Sequence, residues 1–304
     1  MDRIEAMSIL VAAVETGSFS AAARKLGTSL PTVSRKVAEL EAHLNARLLI
    51  RSTRKLTLTD AGDAYVAACR RILEQLDEAE RAASGEYSTP KGDLVITAPV
   101  VFGRLHVLPV VTAFLAAYPQ INVRLALSDR NVHLIDDHMD VAVRIGALPD
   151  SGLVAARVGA VRHIVCGSPA FFAAHGAPTQ PVDLRAMPCI SFDGIAPAAS
   201  WSFADRGSGA PKPVAISPRL SVNTAEAAID AAIAGLGLTR VLSYQAAAAV
   251  AAGKLNIVLA DFEPEPLPIH LVHARQGMAP LKLRAFLDFA GSRIRERVAA
   301  FALV

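Results

Sequence analysis

Cysteine is scarce: Cys69, Cys166 and Cys189 are the only thiols in 304 residues, widely separated and odd in number. That excludes a disulfide framework and offers no paired spacing for a zinc module, and it suits a reducing cytoplasm. Long apolar runs are missing too. No stretch of eighteen uncharged apolar residues occurs, since Glu226 and Asp230 interrupt the most apolar part of the C-terminal half, so no membrane span is expected. The start lacks an export pattern, because Asp2, Arg3 and Glu5 mix charges and the short apolar stretch Ile9 to Val14 runs into Glu15. There is no Gly-x-Ser-x-Gly elbow and no phosphate-binding Gly-x-x-x-x-Gly-Lys loop, and Gly235-x-Gly237 lacks the preceding strand and third glycine of a dinucleotide site. His133, Asp136, Asp137, His138 and Asp140 crowd a short segment, but their spacing fits neither zinc nor calcium and reads as a solvated face. Trp201, the one tryptophan, lies in a Gly/Pro/Ser-rich stretch and reads as a packing residue. The expectation is a protein with no catalytic set, no metal and no cofactor.

What is present is a chain long enough for two or three domains, 52% hydrophobic and therefore able to build real cores. The net charge of +3 is unevenly divided. Residues 1 to 59 hold nine Lys+Arg against five Asp+Glu, residues 60 to 90 three against seven, and the remainder nineteen against sixteen. Within 20 to 55 the count is eight against two, the footprint of a surface that meets phosphates.

In the first helix, over residues 3 to 16, Ile4, Met7, Val11 and Val14 mark one apolar face, and Gly17 supplies a stop. Ser18 caps a short second helix ending near Gly27. Ser29 caps a third, with Pro31 in its first turn. There Val33, Val37, Leu40 and Leu44 share one side, while Thr32, Arg35, Lys36 and Glu39 share another. Two short helices around a tight turn, the second with a polar, basic free face, form the helix-turn-helix pattern. Leu48 to Arg51 and Leu56 to Leu58 then read as two strands around the basic tip Ser52-Thr53-Arg54-Lys55, a wing suited to phosphates or a minor groove.

From Thr59 to about Tyr87 a long helix is expected. Tyr65, Cys69, Ile72, Leu76, Ala79 and Ala83 alternate four and three apart, a heptad seam that a partner chain would cover or that packs on its own chain. After a hinge at Tyr87 to Gly92, strands alternate with helices: Asp93 to Ala98, a helix from Arg104 to Ala117, Asn122 to Ser128, Asp140 to Ile145, Arg162 to Cys166, Cys189 to Phe192, Arg219 to Val222 and Gly237 to Thr239. Alternation of this kind implies parallel sheets covered by helices, with ligands just past the strand ends.

The ordered run Gly17-Ser18-Phe19-Ser20-Ala21-Ala22-Ala23-Arg24-Lys25-Leu26, then Ser29 to Val37 with Leu40-Glu41, Arg47 to Arg51 and Leu56 to Gly62, resembles the LysR-type transcriptional regulators. Leu49-Ile50 departs from it where the family usually has phenylalanine, and Leu30 where a polar residue is frequent. The C-terminal half resembles the family's effector domain through Leu108-Pro109, Phe114 to Pro119, Asp140 to Gly146 with Ser151 to Leu153, and Asn223 to Leu238. The resemblance implies an α+β multi-domain protein. A winged helix-turn-helix over 1–58 is followed by a linker and dimerisation helix over 59–90. A two-lobed effector domain of the type 2 periplasmic-binding-protein-like fold takes 91–304, with lobe I at about 91–161 and 267–304 and lobe II at about 162–266.

The function so implied is an effector-responsive, DNA-binding regulator that recognises an inverted repeat in double-stranded DNA as a dimer or dimer of dimers. RNA polymerase is a further expected partner and the cytoplasm the expected location. The alternative is a transport solute-binding protein with the same two-lobed fold. From chemistry, Thr32, Arg35 and Lys36 are expected at base edges, and Ser29, Ser34, Arg51, Arg54 and Lys55 at phosphates. The resemblance implies a dimer contact through Tyr65, Cys69, Ile72, Leu76 and Ala79. By position, the effector cleft is edged by Pro99, Val100, Val101, Phe102, Arg144, Ile145, Gly146, Asn223 and Thr224. A wall of Pro99 to Phe102 and a free helix start at Asn223 favour an effector with a hydrophobic or aromatic body and one acidic group.

Overall fold

The computed structural model describes residues 2–51, 56–83, 89–130, 134, 137–148, 152–192, 200–205, 211–275 and 279–301. The chain divides into two compact units, Met1–Thr89 and Pro90–Val304.

The first unit opens with three helices whose ends follow local chemistry. α1 (Arg3–Thr16) is capped by Asp2, whose carboxylate accepts from the amides of Ile4 and Glu5, and it stops at Gly17 in the left-handed region. α2 (Phe19–Lys25) is capped by Ser18 and α3 (Leu30–Leu44) by Ser29, with Pro31 in the first turn where no amide is needed. β1 (Leu49–Arg51) and β2 (Leu56–Leu58) pair antiparallel, and α4 (Asp60–Ala83) follows. Thr59 launches α4: its hydroxyl accepts from the Gly62 amide at 2.9 Å and donates to the Arg47 carbonyl at 2.7 Å. Gly62 is required there, since a Cβ would lie 2.0 Å from the Leu48 carbonyl oxygen.

The core of this unit joins Ile9, Leu10, Ala13, Ala22, Val33, Val37, Leu40, Leu48 and Val66. On α3 the buried face is the expected one. On α1 it is not: Ala6, Ile9, Leu10, Ala12 and Ala13 are buried, and Ile4 is 47% exposed. α1 is apolar almost all round, so spacing alone does not select its inner face. Its alanines go inward because small side chains let α2 and α3 approach closely.

The second unit holds two five-stranded sheets. β3 (Gly92–Ala98) leads into a helical run made of α5 (Val100–Phe102), a π-helical turn (Gly103–Val107) and α6 (Leu108–Ala117). Though this run is apolar and eighteen residues long, it is a core element, burying Val101, Phe102, Val107, Val110, Val111 and Phe114. β4 (Ile121–Leu127), β5 (Val141–Ile145) and β6 (Leu153–Val161) complete the outward path. The chain then builds β7 (His163–Gly167), α7 (Pro169–His175), β8 (Cys189–Phe192), β9 (Ser200–Ala204), β10 (Pro211–Ala215) and β11 (Pro218–Val222). It continues through α8 (Ala225–Ile233), β12 (Leu238–Leu242), α9 (Ser243–Ala251) and β13 (Asn256–Val258), and returns as β14 (Leu267–Ala274) and α10 (Leu281–Phe301).

The first lobe's sheet runs β4-β3-β5-β14-β6 and the second's β11-β8-β12-β7-β13. Each is mixed, where alternation of strands and helices predicted parallel sheets. β14 runs antiparallel to β5 and β6, and β7 antiparallel to β12 and β13. The cause is the double crossover: the chain leaves the first lobe after β6 and re-enters it as β14, and the strand that enters each lobe after a crossing, β7 in the second and β14 in the first, runs against the rest. β6, β9, β10, β13 and β14 are absent from the strand pattern read in the sequence. β6 is an edge strand of small, largely exposed residues, and β14 carries Pro268 and two histidines. Trp201 is buried with Phe203, Val214 and Leu238 in the second lobe's core.

Candidate functional site

The first candidate surface is the free face of α3. With Val33, Val37 and Leu40 turned inward, Arg35 is left outward with its side chain 62% exposed, its guanidinium meeting Glu39 one turn on at 2.7 Å. Such an exposed pair is worth little and is readily exchanged for a phosphate or a guanine edge. Thr32 is half-buried, and its hydroxyl lies 2.8 Å from that of Ser29. Ser29 also receives the Thr32 amide, so its hydroxyl is engaged as the helix cap. Ser34 is half-buried. Lys36, expected beside Arg35, is turned toward α1: its ammonium is paired with Glu5 and its side chain is only 14% exposed. The spacing of residues along α3 could not reveal this, because Glu5 lies thirty-one positions earlier.

The wing follows α3 through a contact that spacing did not mark as functional. The Glu41 carboxylate accepts from the amides of Leu48 and Leu49 at 2.9 and 3.1 Å. It thereby holds the entrance of β1 against the helix that precedes it. Arg51 lies on β1, paired with Leu56, and its side chain is outside the described residues, as are Arg54 and Lys55. Arg24 and Arg47 add exposed cations to this unit, and Lys25 pairs with Glu15 at 2.9 Å.

The seam on α4 divides into two parts. Cys69 is fully buried with Tyr65 half-buried beside it, and Val66 joins the unit's core, so these first turns pack on their own chain. Burial pushes the Tyr65 hydroxyl and the Cys69 thiol up in pKa, with the Cys69 neighbour adding to the effect on Tyr65. Further along, Ile72 is 45% exposed, Leu76 half-buried and Ala79 exposed. That later half is an apolar stripe without cover from the described residues of its own unit.

The second candidate surface lies where the strand ends of the two lobes face each other. Pro99 precedes the helical run, and the carboxylate of Asp129 accepts the Val100 amide at 3.0 Å. An acid at that helix start offsets its positive end. Val100 is 38% exposed, but Val101 and Phe102 are 6% and 0% exposed and belong to the first lobe's core. The apolar wall expected at Pro99 to Phe102 therefore narrows to Pro99 and Val100. Gly103 opens the π-helical turn and packs against β4, where a Cβ would lie 2.2 Å from Leu127 Cδ2. Arg297 donates to the Leu105 carbonyl at 3.0 Å within that turn.

Arg144, Ile145 and Gly146 are half-buried at the end of β5, with Gly146 at φ +108° donating to the Pro268 carbonyl at 2.8 Å. Burial lowers the pKa of Arg144, against the pull of Asp137. From the other lobe come Asn223 and Thr224, both exposed, with Thr224 capping α8. Tyr244, at the start of α9, inserts among residues of the first lobe. Its ring stands edge-on to Phe102 at 5.3 Å and to His106 at 5.7 Å between centroids. Burial pushes the Tyr244 hydroxyl up, and the carboxylates of Asp129 and Glu226 push it the same way. Burial first, then Arg297, lowers His106 to about 4.

Two family models match the chain: "Bacterial regulatory helix-turn-helix protein, lysR family" over residues 4–63 and "LysR substrate binding domain" over residues 88–295. An HTH-type transcriptional regulator of Xanthomonas campestris pv. campestris is 37% identical over 290 residues, covering 94% of this chain and 84% of its own. The solved structure of CrgA, a LysR-type transcriptional regulator from Neisseria meningitidis, is 31% identical with a TM-score of 0.61, covering 95% and 98% of the two chains. The full-length Vibrio cholerae virulence activator AphB is 27% identical with a TM-score of 0.59 over 95% and 98%. These matches are to transcriptional regulators, so the alternative of a transport solute-binding protein is set aside.

Proposed function

Because the chain belongs to the LysR family of DNA-binding, effector-responsive transcriptional regulators, we propose that it reads an inverted-repeat DNA site with α3 and answers to an acidic small molecule held between its lobes. The observation that carries the DNA half is the exposed Arg35 guanidinium on a helix whose opposite face is fully buried. Arg35 forks onto a guanine edge, with Thr32 beside it. Ser34, Arg51, Arg54 and Lys55 meet phosphates and so fix register without reading sequence. Lys36 acts mainly by holding α3 to α1 through Glu5. The uncovered half of the α4 seam, Ile72, Leu76 and Ala79, pairs with a second copy, and the pairing presents two recognition helices to the two half-sites. Dimers associate further as dimers of dimers, RNA polymerase is the downstream partner, and the chain works in the cytoplasm without catalysing a reaction.

The effector sits among Pro99, Val100, Arg144, Ile145, Gly146, Asn223 and Thr224. Pro99, Val100 and Ile145 receive its apolar body, and the start of α8 with its free amides receives its acidic group. Binding shifts the balance between two lobe arrangements only by its unequal affinity for them, and the bound DNA registers that shift. Footprinting of the intact protein with and without a panel of small aromatic acids tests this. One or more acids changing the footprint is the expected result. A footprint indifferent to every acid, but altered by neutral or cationic compounds, contradicts the assignment of the acidic group.

A further inference from the structure

Two contacts join the lobes beyond the peptide crossovers, another clamps the two crossover segments to each other, and they are of different strength. Tyr244 of the second lobe is 3% exposed and seated in the first lobe's core against Phe102 and His106. Arg162, at the first crossing, pairs at 2.9 Å with Glu263, which lies between β13 and β14 at the second, with side chains 33% and 11% exposed. Ser243 locks to the same point, donating its amide to the Arg162 carbonyl at 2.8 Å. Tyr244 is buried and the Arg162–Glu263 pair partly buried, and the axis they make at the crossovers is largely shielded from water. The third contact is not. Arg104, in the π-helical turn of the first lobe, meets Glu226, in the first turn of α8 of the second, at 3.6 Å with side chains 56% and 45% exposed.

We propose that Arg104 and Glu226 form an electrostatic latch across the mouth of the cleft, setting the lobe angle about the axis at Tyr244 and Arg162–Glu263. The position of each partner gives the latch leverage. Arg104 lies just beyond β3 and Glu226 just beyond β11, the strand ends at which the lobes face each other. A pair so exposed contributes at most about 1 kcal/mol, which corresponds to about a fivefold bias between latched and open arrangements. A bias of that size is small enough for a ligand to reverse. It is also open to salt, whereas the axis, buried at Tyr244 and partly buried at Arg162–Glu263, is screened less. The latch bears on the effector reading, on which its regulatory meaning rests: Glu226 stands in the first turn of the helix assigned to the effector's acid, and Arg104 is the cation that such an acid meets there.

The latch is tested without any effector, so the result does not depend on that assignment. Cysteines introduced by Ala116→Cys on α6 and Ala173→Cys on α7, both exposed positions, carry spin labels in the full-length chain, diluted with unlabelled protein. The native thiols are buried and two of them are raised in pKa to about 12 and about 11, so the introduced ones are labelled selectively. Arg104→Gln and Glu226→Gln should each shift the inter-lobe distance distribution toward a longer or broader form, about fivefold in population. The charge-swapped double variant, Arg104→Glu with Glu226→Arg, should restore the wild-type distribution. Raising salt should reproduce the shift in the wild type and leave Glu226→Gln unchanged. Single variants with wild-type distances, or a swapped variant no closer to wild type than the singles, would overturn the latch.

Discussion

Arg35 and Lys36 are adjacent, equally charged and on the same helix, yet their surroundings separate them. Arg35 points outward with only an exposed i,i+4 partner, while Lys36 lies against α1 in contact with Glu5. Arg35→Ala should therefore weaken specific DNA binding by about 1 to 3 kcal/mol with little change in stability. Lys36→Ala should lower the unfolding midpoint and affect DNA binding less. Gel shifts and denaturant melts on both variants decide this, and equal losses of affinity would contradict it. Glu41 gives the second case. Replacing it by Ala leaves the amides of Leu48 and Leu49 without their carboxylate acceptor, at a cost of about 1 to 3 kcal/mol. The expected outcome is a less stable N-terminal unit and weaker DNA binding, although Glu41 is not assigned a contact with DNA. An unchanged melt would contradict the role of Glu41 in holding β1 to α3.

Among the elements, α3 was the most legible in sequence, because a Ser cap, an early proline and apolar spacing of four, three and four all agree. α1 was legible as a helix but not in its orientation, since an almost wholly apolar helix carries no contrast between faces. α4 was legible in period only, and the period does not say where self-packing gives way to an open stripe. That change falls between Cys69, fully buried, and Ile72, 45% exposed. Placing a charge there tests the pairing: Ile72→Glu should convert dimers to monomers in sedimentation while leaving the fold of the N-terminal unit intact. Cys69→Ala should lower stability without dissociating the chains. Ile72→Glu sedimenting as the wild type would remove α4 from the dimer contact. In the second unit, β6 and β14 are illegible in sequence because an edge strand of small residues and a strand holding proline and histidine lack the alternation that marks a strand.

At the scale of the whole molecule, the two-lobed body was legible as alternating strands and helices. The cleft was only partly so, because sequence position does not separate residues that line a strand end from those that sink beneath it. Phe102 shows this: one residue beyond Val101 and two beyond exposed Val100, it is wholly buried beneath Tyr244 and His106. Burying imidazoles within the body also makes it sensitive to acid. His106 and His163 are each lowered from 6.5 to about 4, chiefly by burial and then by Arg297 and Arg240 respectively. Between pH 6.5 and 4 the unfolded chain binds protons that the folded one refuses, so stability is full above 6.5 and falls as pH drops through that window. Denaturant midpoints should decline from pH 7 to pH 5, ahead of the carboxylate range, and a flat profile there would contradict the buried neutral imidazoles.

The central claim is that the basic N-terminal unit reads DNA as a specific, charge-assisted interface. Its most direct test is the affinity of the intact protein for the DNA upstream of its own coding sequence, measured against unrelated DNA as salt is raised from about 50 to about 200 mM. The account predicts preferential binding to the upstream DNA with affinity falling steeply with salt. Binding that is blind to sequence and indifferent to salt would contradict it.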